Sequence, residues 1–506
     1  MKSNLAISSV VFAGLFVATG CGDDGRQETS TTTLPTTGMT SVGPGGTEST
    51  ATSTSTTGDT TIKFDSQQET TGGGGCNADL GCTDQIDLLF VIDNSGTMAE
   101  EQENLARNFP LLIKRLEELK DSEGNMVNPD VQIMVTTTDF GNQLCTQFQK
   151  HDPEKGAPIT TGCNARIDRF TGLDPNNPVM VPEACTNVCP TDVVPSGDPF
   201  IHFWGPGQDE NNIPDVPPAD INGDGQDDSE VAQALACIGP QGIDGCGYES
   251  PLENMMQALN PGASWNQGSK PFLRDGALLA IVIVTDEADC SIKDPSVMTD
   301  PMFMETNPDN NMQQPTSAVC WNAGVTCTGP DMNGEYSNCT SANNDKLQPI
   351  SRYTDFLIGY LRDTLKKEVI MLGILGVPKV TAHNPDPPFE PIAGGVMDLV
   401  YRDWKDGQYP MGDILPDEWA NGVTAADKEF DFGIGPGCTG EDGMGGFTGQ
   451  AIPPVRVKEV CEALNIDNGD GTTDVRCCIE SICDTDFSAA IDCLTGIIGE
   501  SIQIPG

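Results

Sequence analysis

The sequence predicts an α/β protein built on a doubly wound, mostly parallel sheet with disulfide-rich loop insertions. Three observations carry this expectation. Short, nearly continuous apolar runs recur at Ile86–Ile92, Val131–Val135, Ala277–Thr285 and Glu368–Leu375, as strands covered on both faces require. Stretches of helical character alternate with them, which places parallel strands under covering helices. Many of the 19 cysteines fall in stretches that Pro and Gly break up.

Taken in chain order, Met1-Lys2-Ser3-Asn4 precedes an apolar run, Leu5–Ala18, and then Ala18-Thr19-Gly20-Cys21. A short basic start, an apolar stretch and small residues before a break make a secretory signal. The small-small-Cys ending resembles a bacterial lipobox, in which Cys21 carries lipid and becomes the mature N-terminus. Residues 22–75 are rich in Thr, Ser and Gly and too poor in apolar residues to bury a core, so they read as a flexible tether. No later segment has the length and purity of a membrane-spanning helix. Residues 76–506 then form one domain. Strand Ile86–Ile92 is followed by a helix over Met98–Lys120, acidic early and basic late as its dipole favours, with a kink expected at Pro110. Val131–Val135 is the second strand. Residues 140–230 read as an insertion. Val231–Ile238 and Pro251–Leu259 are helices, Ala277–Thr285 is the strongest strand, and residues 290–350 form a second insertion. Tyr353–Leu365 is an amphipathic helix and Glu368–Leu375 a strand. Val455–Leu464 and Phe487–Leu494 are helices of a cysteine-rich C-terminal extension.

Charge narrows the function. Lys and Arg number 26 against 75 Asp and Glu, a formal charge of −49. Such a surface repels phosphate, which excludes nucleic acid as a partner and disfavours docking on anionic lipid, while favouring cations and basic partners. Only His151, His202 and His383 are present, so histidine-rich metal sites and Ser–His–Asp chemistry have few candidates. His202, near Phe200, Phe203 and Trp204, reads as part of a packed aromatic turn, and Tyr401, Trp404 and Trp419 as packing under a long loop. The cysteines lack the repeated close pairs of zinc sites and fit disulfides in an oxidising compartment. With Cys21 lipidated, 18 remain, enough for up to nine bridges. Cys237 and Cys246 are expected to pair and so fix the loop that follows them.

The chemistry lies at two strand ends, where open α/β sheets place their sites. One reads Asp93-Asn94-Ser95-Gly96-Thr97, the other Val284-Thr285-Asp286-Glu287-Ala288-Asp289-Cys290-Ser291. In the first, residues i, i+2 and i+4 of one turn converge. A carboxylate and two hydroxyls suit a hard cation, Mg²⁺ or Mn²⁺, and Asp286 brings a second carboxylate. With few anionic ligands the ion keeps positive character and an open position for a partner's carboxylate.

Asp93-x-Ser95-x-Thr97, after an apolar strand and before a helix, resembles the metal-ion-dependent adhesion site of von Willebrand factor A domains. Thr97 stands where that family's pattern has serine, and Asp286 in Ile-Val-Thr-Asp matches its later aspartate. The family draws a further threonine from an intervening loop; here Gly245–Leu252 places Glu249 near that position. A glutamate would hold the ion more tightly and leave it less electrophilic. The resemblance spans residues 84–380 and is closest to secreted or lipid-anchored bacterial members, marked by Val-Thr-Asp-Glu-x-Asp-Cys-Ser, a Gly-x-Gly-x-Glu loop and Ser481-Ile482-Cys483-Asp484-Thr485-Asp486-Phe487. It implies a Rossmann-type fold and a non-enzymatic, cation-dependent function: binding a protein or extracellular-matrix ligand, on a cell-envelope lipoprotein expected at the outer membrane.

A second cation motif, Asp220-Ile221-Asn222-Gly223-Asp224-Gly225-Gln226-Asp227-Asp228, offers Asp220, Asn222, Asp224 and Asp228 to Ca²⁺, without the EF-hand's bidentate glutamate. Asp467–Asp474 is a poorer copy. Other readings are open. Asp93 and Ser95 could simply cap the following helix. The protein could be a calcium-stabilised structural envelope protein with a vestigial metal site. Asp93 could also be the nucleophile of a haloacid-dehalogenase-like phosphatase, although Ser95 stands where that family's general acid belongs.

Overall fold

The computed structural model describes residues 84–502 apart from 122–123, 147, 149–150, 174–178, 205–209, 406–423 and 442–446. The signal segment with Cys21, the tether, Cys76, Cys82 and Trp419 lie outside the described residues.

Seven strands form the central sheet: β1 (Gln85–Ile92), β2 (Asp130–Thr137), β3 (Ile201–Trp204), β4 (Glu210–Asn211), β5 (Leu278–Val284), β6 (Val369–Leu375) and β7 (Cys477–Ser481). Their spatial order is β7-β6-β5-β1-β2-β3-β4. The first five in that order run parallel, and β3 and β4 extend the far edge antiparallel. All four expected strands are present. Their side chains alternate between two cores. Leu88, Phe90, Val282 and Leu372 face a cluster shared with α1 (Ala99–Glu117), α2 (Glu230–Ile238) and α6 (Ser488–Ser501). The opposite face packs against α3 (Pro251–Ala258) and α5 (Val455–Glu462). Burial on both faces explains why the strands read as unbroken apolar runs. No described helix is long and apolar enough to cross a membrane.

Several expectations need correction. Residues 140–230 are more than an insertion, because β3 and β4 join the sheet. Ile201 and Phe203 point into the core while His202 and Trp204 do not, a two-residue alternation too short to stand out between Pro and Gly. His202 does pack beside Trp204, ring centroids 5.1 Å apart, and its Nε2 also lies 2.7 Å from Asp130 Oδ1. The helix expected over Tyr353–Leu365 is an α-turn, α4 (Ile350–Thr354), running into a π-helical segment, Asp355–Arg362. The five-residue step from Phe356 to Leu361, both buried, suits that wider turn. The last helix runs on to Ser501. Trp404 is buried with Trp321 and Phe432 as expected.

Eight disulfides join described cysteines, consistent with an extracytoplasmic location. Cys237 and Cys246 do not pair with each other. Cys246 bonds Cys145, and Cys237 bonds Cys189. Cys237 sits on α2, buried against the α1 side of the sheet, whereas Cys246 lies at the carboxyl end of β2, where Asp139 Oδ2 accepts its N–H at 3.2 Å. The adjacent Cys477 and Cys478 are explained by β7. Successive strand residues point to opposite faces, so Cys477 reaches Cys461 on α5 and Cys478 reaches Cys493 on α6.

Candidate metal centre

From β1 the chain moves to β2 on one side and later returns to β5 on the other. The carboxyl ends of β1 and β5 therefore flank a topological switch point, where connections diverge and leave a crevice. Ladder register brings three strand ends level. Ile92 pairs with Thr137 on β2 and with Val284 on β5, so Asp93 lies between Thr138 and Thr285. Backbone bonds from Asp93 N to Val284 O (2.9 Å) and from Thr138 N to Ile92 O (3.2 Å) carry the ladder one residue further.

The Asp93–Thr97 turn closes on itself. Asp93 Oδ1 accepts the Ser95 N–H at 2.8 Å, Ser95 Oγ lies 3.2 Å from Thr97 Oγ1, and Thr97 Oγ1 donates to Asp286 Oδ2 at 2.6 Å. Helix α1 starts after Met98 and receives no side-chain cap, so Asp93 and Ser95 do not cap it. Gln102, one turn into α1, clamps the turn from behind. Its Nε2 donates to Asp93 O (2.7 Å) and Gly242 O (2.9 Å), and its Oε1 accepts from Gln241 N (2.8 Å) and Gly242 N (3.0 Å). Gly245 has to be glycine: a Cβ there would stand 2.5 Å from the Asn94 backbone oxygen.

Glu249 reaches the same place from the loop before α3. Ser250 N bonds Thr138 O (2.9 Å), Cys290 N bonds Glu249 O (2.6 Å), and the Cys145–Cys246 bridge anchors the loop. Thr138 Oγ1 donates to Glu249 Oε2, while Glu249 Oε1 is buried and has no hydrogen-bond partner among the described residues. The structure thus brings together all five residues singled out for this site: Asp93, Ser95, Thr97, Glu249 and Asp286. All are buried.

The electrostatics are those of buried negative charge. Burial pushes Asp93 up to about 6, against hydrogen bonds from Thr285 and Ser95, and the Asp139 carboxylate adds to the rise. Burial also pushes Glu249 well above the carboxylate range, reinforced by Asp93, Asp139 and Glu287. Neither Asp93 nor Glu249 forms an ion pair with a described residue. The donor set fits a hard dication: carboxylates and hydroxyls only, with oxygens 2.6 Å (Thr97–Asp286) and 3.2 Å (Ser95–Thr97) apart. Neighbouring oxygens in an octahedral Mg²⁺ shell stand about 2.9 Å apart. The nearby trio Cys145, His151 and Cys246 is no rival centre, because both sulfurs are in a disulfide. His151 instead holds Asp139, Nε2 to Oδ2 at 2.8 Å.

Sequence reasoning missed the supporting residues. Thr285 Oγ1 donates to Asp93 Oδ2, as Thr138 does to Glu249. The sequence does hold a signal for them, since β2 is followed by Thr138-Asp139 just as β5 is followed by Thr285-Asp286. It also missed the far wall of the crevice. A small cleft is lined by Thr97, Glu101 and Asp286 from the strand ends and by Gly440, Gly449 and Gln450 from the C-terminal extension. The second wall is a hairpin of the C-terminal extension, Cys438–Glu441 with Phe447–Ala451.

The 220–228 loop is remote in sequence and separately built. Asp220 accepts from the backbone of Gly223, Asp224 and Gly225, Asn222 Oδ1 from Asp224 N, and Asp224 Oδ1 from Gln226 N. Asp228 Oδ2 accepts from Ile221 N at 2.7 Å and closes the loop. Its four oxygen-bearing residues are brought together, already engaged by the loop's own amides. Asp467–Asp474 forms a small hairpin instead. No protein-family model, no curated protein and no solved structure matches the chain.

Proposed function

We propose that this protein is a lipid-anchored cell-envelope binding protein of von Willebrand A type, in which a divalent cation mediates capture of a protein or matrix ligand. The observation behind this reading is the meeting of Asp93, Ser95 and Thr97 with Asp286 across two parallel strands, beside a buried Glu249 with an unpartnered oxygen. Burying carboxylates without a counter-charge is costly, and Mg²⁺ or Mn²⁺ would remove that cost. Ser95 and Thr97 would ligate through neutral hydroxyls, Asp93 and Asp286 directly or through water, and Glu249 through Oε1. An ion held this way is a Lewis acid with room for one carboxylate from a partner. Ca²⁺ in the 220–228 loop would be structural. Pull-down from envelope extracts, with and without EDTA, tests the reading. Capture of a carboxylate-bearing partner that EDTA abolishes is the expected result. Cation-independent capture would leave the site a structural relic, and turnover of phosphate esters would move the protein to the hydrolases.

A further inference from the structure

We infer that Gln450, carried on the C-terminal hairpin, is an additional ligand of the cation at this site, so that ion binding fastens the C-terminal extension to the strand ends. The inference rests on the cation reading above. Gln450 is 7% exposed, its Oε1 is buried without a hydrogen-bond partner among the described residues, and the residue lines the cleft that Thr97 and Asp286 line from the other side. A buried amide oxygen left unpaired is unfavourable, and hard dications accept such oxygens as neutral ligands.

The hairpin is placed firmly. Ile452 N bonds the backbone oxygen of Asp286 at 2.7 Å, Gly437 N bonds Ala451 O at 2.8 Å, and Cys438 is bridged to Cys483 at the end of β7. Gln450 stands two residues before that docked N–H, which keeps it close to the strand ends, and its residue lines the cleft. Next along the hairpin, Gly440 pairs with Gly449. Both line the cleft, and neither puts a side chain between Gln450 and the strand ends. With Asp93, Ser95, Thr97, Glu249 and Asp286 taking five positions, Gln450 would take the sixth as a neutral donor that adds no negative charge, and a partner's carboxylate would bind by displacing it.

The test uses the purified full chain and Mn²⁺ alone as probe, reading affinity by calorimetry and hydrogen exchange across residues 438–452. Wild type should bind Mn²⁺ and gain protection in the hairpin. Gln450→Ala should weaken Mn²⁺ by roughly tenfold or more and lose that protection. Gln450→Glu, which keeps a ligating oxygen, should retain both. If Gln450→Ala binds like wild type while Asp93→Asn does not bind, the inference is wrong and the cation site stands. If Gln450→Glu fails as Gln450→Ala does, the amide N–H rather than the oxygen matters, and the ligand assignment is overturned. If wild type binds no Mn²⁺, or Asp93→Asn binds it unchanged, the underlying site reading is what has failed.

Discussion

Replacing Asp93 by Asn should stabilise the metal-free protein and abolish its stabilisation by Mn²⁺. Asn keeps the shape and can still accept from Ser95 N, but it removes the charge. In the metal-free protein that charge is a liability. The group is raised from 3.8 to about 6, mainly by burial. A rise of about two units corresponds to about 3 kcal/mol against the ionised form. A raised acid contributes its stability below the unfolded value and loses it as pH rises through the folded one. At pH 7.5 in EDTA, Asp93→Asn should therefore be at least as stable as wild type, by up to about 3 kcal/mol before subtracting any weakening of the Thr285 bond. With Mn²⁺ at a hundred times its dissociation constant, wild type gains about 2.7 kcal/mol by linkage and the variant gains nothing. Calorimetric unfolding in EDTA and in Mn²⁺ reads both. If the variant is about 2 kcal/mol or more less stable in EDTA, Asp93 is holding the turn together. If it also keeps the Mn²⁺ shift, the metal-centre assignment is wrong.

Other outcomes are as specific. Glu429 is pushed up to about 7 by burial, then by Glu305 and Asp403, so its contribution is present below about 4.5 and lost as pH rises through 7. Glu429→Gln should match wild type below about pH 4 and exceed it at pH 8 by about 1–2 kcal/mol, allowing for its partial exposure; identical pH slopes by chemical denaturation would refute this. Peptide mapping without reduction should find Cys145 joined to Cys246 and Cys189 to Cys237, and a Cys237–Cys246 peptide would overturn that pairing. Thr285→Val leaves Asp93 Oδ2 without its hydroxyl donor and should cost about 1–2 kcal/mol in EDTA; no loss in denaturant titration would show that the bond carries no net weight. Cys21→Ser should leave the membrane fraction after export, and retention there would count against lipidation.

Much of this architecture was legible because its strands are buried on both faces. Val282, Phe90 and Leu372 point one way, Ile281, Leu89 and Met371 the other, so few polar residues interrupt the runs. Even Asp87, the acid within β1, is accounted for: Arg274 Nε bonds its Oδ1 at 2.7 Å and Lys367 Nζ its Oδ2 at 3.1 Å. The convergence of Asp93, Ser95 and Thr97 could be read as well, since D-x-S-x-T is a local turn whose spacing sets its own geometry. What escaped was non-local. β7 reads Cys-Cys-Ile-Glu-Ser, with little strand propensity; it is a strand because it pairs with β6 and is tied by sulfur on both faces. Disulfide pairing escaped because proximity in sequence says nothing about which face of the sheet a cysteine lies on. Gln450 escaped because nothing near it in the chain marks it; its meaning comes only from Asp286 on the opposite wall.

The C-terminal extension is therefore part of the domain's working body. The stretch carrying the resemblance ends near residue 380, just past β6. Ending the fold there would leave β6 as an exposed edge with Ile370, Leu372 and Ile374 bare on one face, a template for aggregation. β7 covers that edge, and α6 covers the face with Leu494, Ile497 and Ile498. The same segment sends its hairpin back over the crevice and fixes it at Asp286 through Ile452. One piece of chain thus closes the sheet and walls the proposed site. Anything that pulls on the hairpin, whether a ligand entering the cleft or a cation leaving it, acts on an element bridged by Cys438–Cys483 to the last strand of the sheet. Occupancy of the site and order in the C-terminal extension should consequently rise and fall together, which a binding domain ending at β6 could not do.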